Sequence, residues 1–200
     1  MGKEISGVLL SAGKSERMGE MKALLPLGDK LVIEKLIEEY KNSKIDELVV
    51  VVGYNGKKLE SIIKSLFPTD FVRVVHNENY EEGMFSSVLA GVKEAKYENI
   101  LLGLVDNPLI NKEIINMILK EFDFEHIVIP SFERKGGHPV VFPKIIKDEI
   151  LSQKYSTLKE VFDKFKDRIV YVEAPKEVTI DMDTREDYEK ILQYLEGGTL

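Results

Sequence analysis

The chain contains no cysteine. That removes disulfides, thiolate zinc sites, iron–sulfur clusters and cysteine nucleophiles together, and it fits a cytoplasmic protein. Histidine is scarce, with three in 200 residues. His76 and His126 read as structural, because nothing spaces them as metal ligands, and no Ser/His/Asp set is visible. No apolar run approaches the roughly 18 residues of a membrane span. The N-terminus runs straight into an apolar strand, so no secretory leader is expected. Positive charge is not in excess either: the net charge is −7, which argues against broad nucleic-acid binding. Linkers, low-complexity tracts and internal repeats are missing. A single domain over residues 1–200 is expected, long enough for a real core.

What is present is concentrated in Ile5–Leu25, ISGVLLSAGKSERMGEMKALL. An apolar strand, Val8-Leu9-Leu10, runs into the small residues Ser11, Ala12, Gly13 and Ser15. A buried strand ending in such a loop leaves backbone N–H groups unpaired at its tip, and these make an anion-binding concavity. Arg17 and Lys22 add positive charge where a triphosphate would lie. Gly13-Lys14-Ser15 looks like the end of a Walker A loop, but the nearest upstream glycine, Gly7, lies one residue too far away and within the strand. The dinucleotide pattern G-x-G-x-x-G is also missing. The alternative is a plain connection carrying two solvated cations.

Periodicity gives the architecture. Ile33, Leu36, Ile37 and Tyr40 recur at helical spacing, as do Leu59, Ile62, Ile63 and Leu66 before Pro68. Short apolar strands alternate with them at 48–52, 71–75, 100–104, 126–130 and 169–172. Continuous apolar strands suit a sheet covered on both faces. The pattern predicts a three-layer α/β/α, Rossmann-like fold with a mostly parallel sheet. A later helix carries Leu158, Val161, Phe162 and Phe165 behind a Thr157/Glu160 capping box. The last carries Tyr188, Ile191, Leu192 and Leu195 behind Thr184.

Three further stretches carry polar residues at strand ends, where ligands bind in open α/β sheets. Asn77 follows a strand, and Ser86 or Ser87 is placed to cap the helix of Val88, Val92 and Ala95. Asp106 ends a buried strand and is followed by Asn107-Pro108; it is either a cation ligand or an Asx-turn. Asp181 and Asp183 flank Met182 just before the last helix. The cap explains Thr184 and Asp187, but not these two carboxylates.

Residues 9–28, LLSAGKSERMGEMKALLPLG, resemble the signature of the MobA-like nucleotidyltransferases, L-x-A-G-x-S-x-R-M-G-x-x-K-x-L-L-P-L-G. Ser11 stands where that family usually has alanine. N-E-N-Y-E-E-G-M-F-S-S-V (77–88), L-V-D-N-P (104–108), G-H-P-V (137–140) and D-M-D-T-R-E-D (181–187, with Arg185 in place of proline) are similar to further family elements in the same order. The resemblance spans essentially the whole chain and is strongest to the MocA-type branch. It implies transfer of a nucleoside monophosphate, most simply from CTP, to a molybdopterin-type phosphate, with release of pyrophosphate. It also implies that Leu10, Ser11, Ala12, Gly13, Ser15, Lys22, Asn77 and Ser86 bind nucleotide. Arg17, Lys22 and Asp106 would act in catalysis, and Ser87 and His138 would face the acceptor. Asp106 with Asp181, or else Asp183, would hold Mg²⁺, with Mn²⁺ as the alternative. The other readings are GTP or a sugar phosphate as substrate, a non-catalytic maturation factor that meets a molybdenum enzyme apoprotein, and a binding module of unknown ligand.

Overall fold

The computed structural model describes residues 4–198. Its strands are β1 (Ile5–Ser11), β2 (Pro26–Leu27), β3 (Lys30–Leu31), β4 (Glu47–Val52), β5 (Val72–His76), β6 (Asn99–Leu104), β7 (Ile127–Phe132), β8 (Lys135–Gly136), β9 (Val140–Phe142) and β10 (Ile169–Glu173). Its α-helices are α1 (Val32–Lys41), α2 (Gly56–Leu66), α3 (Met84–Glu94), α4 (Lys112–Glu121), α5 (Lys144–Leu151), α6 (Leu158–Lys164) and α7 (Arg185–Leu195). The main sheet runs β10-β7-β9-β6-β1-β4-β5, with β8 beside β7 and β2-β3 forming a separate small ribbon.

The strands alternate between two cores because successive side chains point to opposite faces. Leu48, Val50 and Val52 of β4 join Ile33 and Ile37 of α1, Leu59 of α2, Ile115 of α4 and Ile191 of α7 on one face. Val49 and Val51 join Val88 and Val92 of α3, Ile146 of α5 and Val161 of α6 on the other. Both faces are covered, as the apolar strands predict. Gly91 lets α3 lie close to the sheet, since a Cβ there would stand 2.5 Å from Val8 and 2.8 Å from Val51.

β1, β4, β5 and β6 are parallel neighbours, and β10 is parallel to β7. β9 runs antiparallel between β6 and β7, a reversal that strand composition does not reveal. β1 has β4 on one side and β6 on the other. The winding therefore reverses at β1, and a crevice opens beyond the carboxyl ends of β1 and β6.

Two local expectations change. α3 begins at Met84 with Gly83 as its N-cap (φ 102°), so Ser86 and Ser87 lie inside the first turn and cap nothing. Leu66 and Leu195, assigned to buried helix faces by spacing, are 40% and 44% exposed. Both end their helices, where the core no longer reaches. The capping boxes at Thr157/Glu160 and Thr184/Asp187 are both present. Among the described residues no helix is long and apolar enough to cross a membrane.

Candidate active site

A cavity of about 250 Å³ lies at the reversal point, lined by Leu10, Ser11, Ala12, Gly13, Ser15, Lys22, Tyr80, Met84, Ser87 and Asp106, among others. The loop after β1 forms one wall. Met18 is buried in the core with Ala23, Leu25 and Leu27, which pins the loop's far end. Met18 and Gly19 donate back to the Ser15 carbonyl, and Ser15 adopts φ 53°. Ala12 accepts from the Tyr54 N–H at 3.1 Å. Among the described residues nothing accepts from the backbone N–H groups of Gly13, Lys14 and Ser15; of these residues Gly13 and Ser15 line the cavity.

The charged groups converge from distant parts of the chain. Lys22 Nζ donates to Asp183 Oδ1 at 2.7 Å and lies 3.8 Å from Asp106 Oδ2. Arg17 donates to Asp183 Oδ2 at 2.8 Å. Asn107 Nδ2 donates to Asp181 Oδ1 at 2.7 Å and to the Ile180 carbonyl. Met182 N–H donates to the Asp106 carbonyl at 2.7 Å, which fastens the 181–183 segment to the end of β6. Asp106 Oδ1 is buried and has no partner among the described residues. Burial pushes the Asp106 carboxyl above its ordinary value; Lys22 opposes this, while Asp181 and Asp183 add to it. The hydrogen bond from Lys22 holds Asp183 below its ordinary value.

His138, a sequence candidate, is not among the residues lining this cavity. Its backbone N–H donates to the Val178 carbonyl at 3.0 Å. Gly137 allows this contact, since a Cβ there would stand 2.0 Å from the same oxygen. Burial holds the imidazole below its ordinary pKa, opposed by nearby Asp181.

The candidate residues therefore separate into groups. Leu10, Ser11, Ala12, Gly13, Ser15, Lys22, Ser87 and Asp106 line one cavity. Arg17 and Asp183 are tied to it through the ion pair with Lys22, and Asp181 is bonded to Asn107, next to Asp106. Asn77 and Ser86 lie behind the wall: the buried Asn77 amide donates to Ser86 Oγ (2.8 Å) and Ser87 Oγ (2.9 Å), and its oxygen accepts from Asn79 N–H. Tyr80, Met84 and Asn107 were not among the sequence candidates. Tyr80 and Met84 lie within the quoted 77–88 stretch, and Asn107 directly follows Asp106. His76 pairs with Glu60 and His126 with Asp123, in keeping with structural roles. Among the described residues no three His, Asp or Glu side chains are grouped to hold a metal by themselves.

Fold and site together define an α/β protein that gathers two cations and three carboxylates beside a cavity at the carboxyl ends of its central strands. Residues 7–169 match the MobA-like NTP transferase domain, and the chain belongs to that family. It is 28% identical to a probable molybdenum cofactor guanylyltransferase of Methanosarcina mazei, over 94% of this chain and 89% of the relative. It is 23% identical to the molybdenum cofactor cytidylyltransferase of Escherichia coli, over 92% and 93%. Among solved structures, a nucleotidyl transferase of Methanothermobacter has the same fold, with TM-score 0.83, 24% identity and coverage of 98% and 100%.

Proposed function

We propose that this protein transfers CMP from CTP to the phosphate of a molybdopterin-type acceptor, releasing pyrophosphate. One observation carries the reading. Lys22, its side chain only 12% exposed, lies between Asp106 and Asp183 in a cavity lined by Gly13 and Ser15, whose backbone N–H groups, with that of Lys14 between them, have no acceptor among the described residues. That combination suits an anion and a cation bound side by side.

In this reaction an acceptor phosphate oxygen bonds to the α-phosphorus while the bond to the bridging oxygen breaks. The nucleophile is already ionised and needs no general base, so the protein's part is positioning and charge stabilisation. The N–H groups of Gly13, Lys14 and Ser15 orient the triphosphate. Lys22 and Arg17 neutralise charge that builds on the leaving pyrophosphate. The residues also fit a hard divalent cation, because Asp106 Oδ1 is a buried carboxylate oxygen with no partner among the described residues. Mg²⁺ characteristically takes one or two carboxylates plus substrate phosphates, and Asp106 with Asp181 would hold it; Mn²⁺ would serve the same ligands. A divalent cation held there would supply charge neutralisation and polarisation of the α-phosphate. His138 and Ser87 contact the acceptor.

The choice of CTP rests on the 83–88 and 137–140 stretches, which resemble the MocA-type branch. GTP is the second reading, favoured by the Methanosarcina mazei relative. Pyrophosphate release is to be measured with CTP, GTP, ATP and UTP in turn, with Mg²⁺ and molybdopterin-type acceptor. Release with CTP alone is the expected result. Release with GTP alone would move the donor assignment and keep the mechanism. Nucleotide binding without any release would favour a maturation factor acting on a molybdenum enzyme apoprotein.

A further inference from the structure

The two carboxylates around Met182 face different partners. Asp181 is tied to Asn107 beside the end of β6. Asp183 spends one oxygen on each cation of the phosphate loop: Oδ1 on Lys22 at 2.7 Å and Oδ2 on Arg17 at 2.8 Å. One anionic group bridging an ammonium and a guanidinium through two oxygens makes the contacts that a phosphate would make there. Asp183 is also fixed in place. Its backbone N–H donates to Asp187 Oδ2, the carboxylate that closes the α7 capping box.

We infer that Asp183 is a built-in counter-anion that occupies the polyphosphate position in the resting site and is displaced by the incoming NTP. The inference rests on the nucleotidyl-transfer reading of this site. It also separates Asp183 from Asp181: Asp183 is a positioning residue acting through Lys22 and Arg17, not a metal ligand. While it is in place, the local charge counts two cations against Asp106, Asp181 and Asp183. A bare polyphosphate therefore meets a site with no spare positive charge and must compete with a carboxylate already bonded to both cations. Binding becomes favourable when a divalent cation offsets Asp106 and Asp181. Asp183 thereby biases the site towards metal-loaded nucleotide.

The test is calorimetric titration of inorganic pyrophosphate and tripolyphosphate, in EDTA, into the full chain and into Asp183→Asn. The variant is expected to bind about fivefold tighter, the scale of a part-exposed ion pair that no longer competes. Asp183→Ser should behave in the same way, and adding Lys22→Gln to Asp183→Asn should abolish the gain. Mn²⁺ binding without nucleotide, read by electron paramagnetic resonance, should be unchanged in Asp183→Asn and weakened in Asp106→Asn. Weaker or unchanged pyrophosphate binding in both Asp183 variants would overturn the inference, as would loss of Mn²⁺ binding in Asp183→Asn. These readouts need no turnover. If no nucleotide supports transfer yet the pyrophosphate affinities shift as expected, the counter-anion assignment stands and only the reaction falls.

Discussion

The two ends of the same strands are built in opposite ways. At the amino ends of β1, β4 and β6 the polar groups are matched. Ser6 Oγ donates to Glu47 Oε1 at 2.6 Å and accepts from Tyr97 N–H at 3.0 Å. Glu47 also accepts from Lys96 N–H and Arg73, and Ile5 N–H donates to Asp46. Lys147 donates to the Ala95 and Tyr97 carbonyls. At the carboxyl ends, Asp106 Oδ1 and Asn107 Oδ1 are buried with no partner among the described residues, and the backbone N–H groups of Gly13, Lys14 and Ser15 have no acceptor there either. An unpaired buried polar atom costs stability, so its presence in a fold that pairs its other end well marks a place kept open for a ligand. One end holds the sheet together, and the other carries the proposed chemistry.

The sharpest way to break this comparison is Asp106→Asn. On the nucleotidyl-transfer reading it should lower transfer by at least about 10²–10³-fold, the scale set by removal of a key electrostatic group. Metal-free stability should not fall, because burial disfavours the charged carboxylate, and the variant's Tm should equal or exceed the wild-type value. A large drop in Tm would mean that Asp106 is a structural group like Glu47. Ser6→Ala is the counterpart at the other end. It leaves the half-buried Tyr97 N–H without its acceptor and should cost about 1 kcal/mol in denaturant unfolding, with kcat unchanged.

A finer contrast uses the two capping boxes, which are chemically alike. In each, the threonine Oγ1 accepts from the N–H three residues on, at 3.2 Å. Thr157→Ala and Thr184→Ala should therefore cost similar stability, about 1 kcal/mol each. Only Thr184→Ala should also change KM for the nucleotide, because Asp183 hangs from the α7 cap through Asp187. Equal kinetics in both variants would uncouple the cap from the site.

These contrasts also show which features could be read in the sequence. The alternation of strands and helices, the Thr157/Glu160 capping box and the Thr184 cap are legible, because they depend on local spacing and local hydrogen bonds; that Asp187 closes a second box at Thr184 is seen in the structure. The start of α3 differs from the expectation, since Gly83, not Ser86 or Ser87, takes the N-cap. Those hydroxyls serve instead to bind Asn77 from inside the first turn. The insertion of β9 between β6 and β7 was not legible, because strand composition carries no direction. The pairing of Lys22 with Asp183 spans 161 residues. Only the topology brings them together, so Asp183 stood in the sequence as an alternative metal ligand.

The smallest effect concerns the well-paired end, at the turn before β7. Asp123 is pulled down to about 2, chiefly by the Glu125 N–H, with help from His126 against a desolvation cost. Its folded value lies below the unfolded value of about 3.9. The stability it contributes is therefore present above pH 4 and lost as the pH falls through about 2. The Tm difference between wild type and Asp123→Ala should narrow over that window. The side chain is 52% exposed, so the difference should be modest at neutral pH and smaller still at high salt. If it instead persists unchanged at pH 2, the turn is held by its geometry, not by the carboxylate charge. Pairing at this end of the sheet would then be less electrostatic than the contacts around Glu47 suggest.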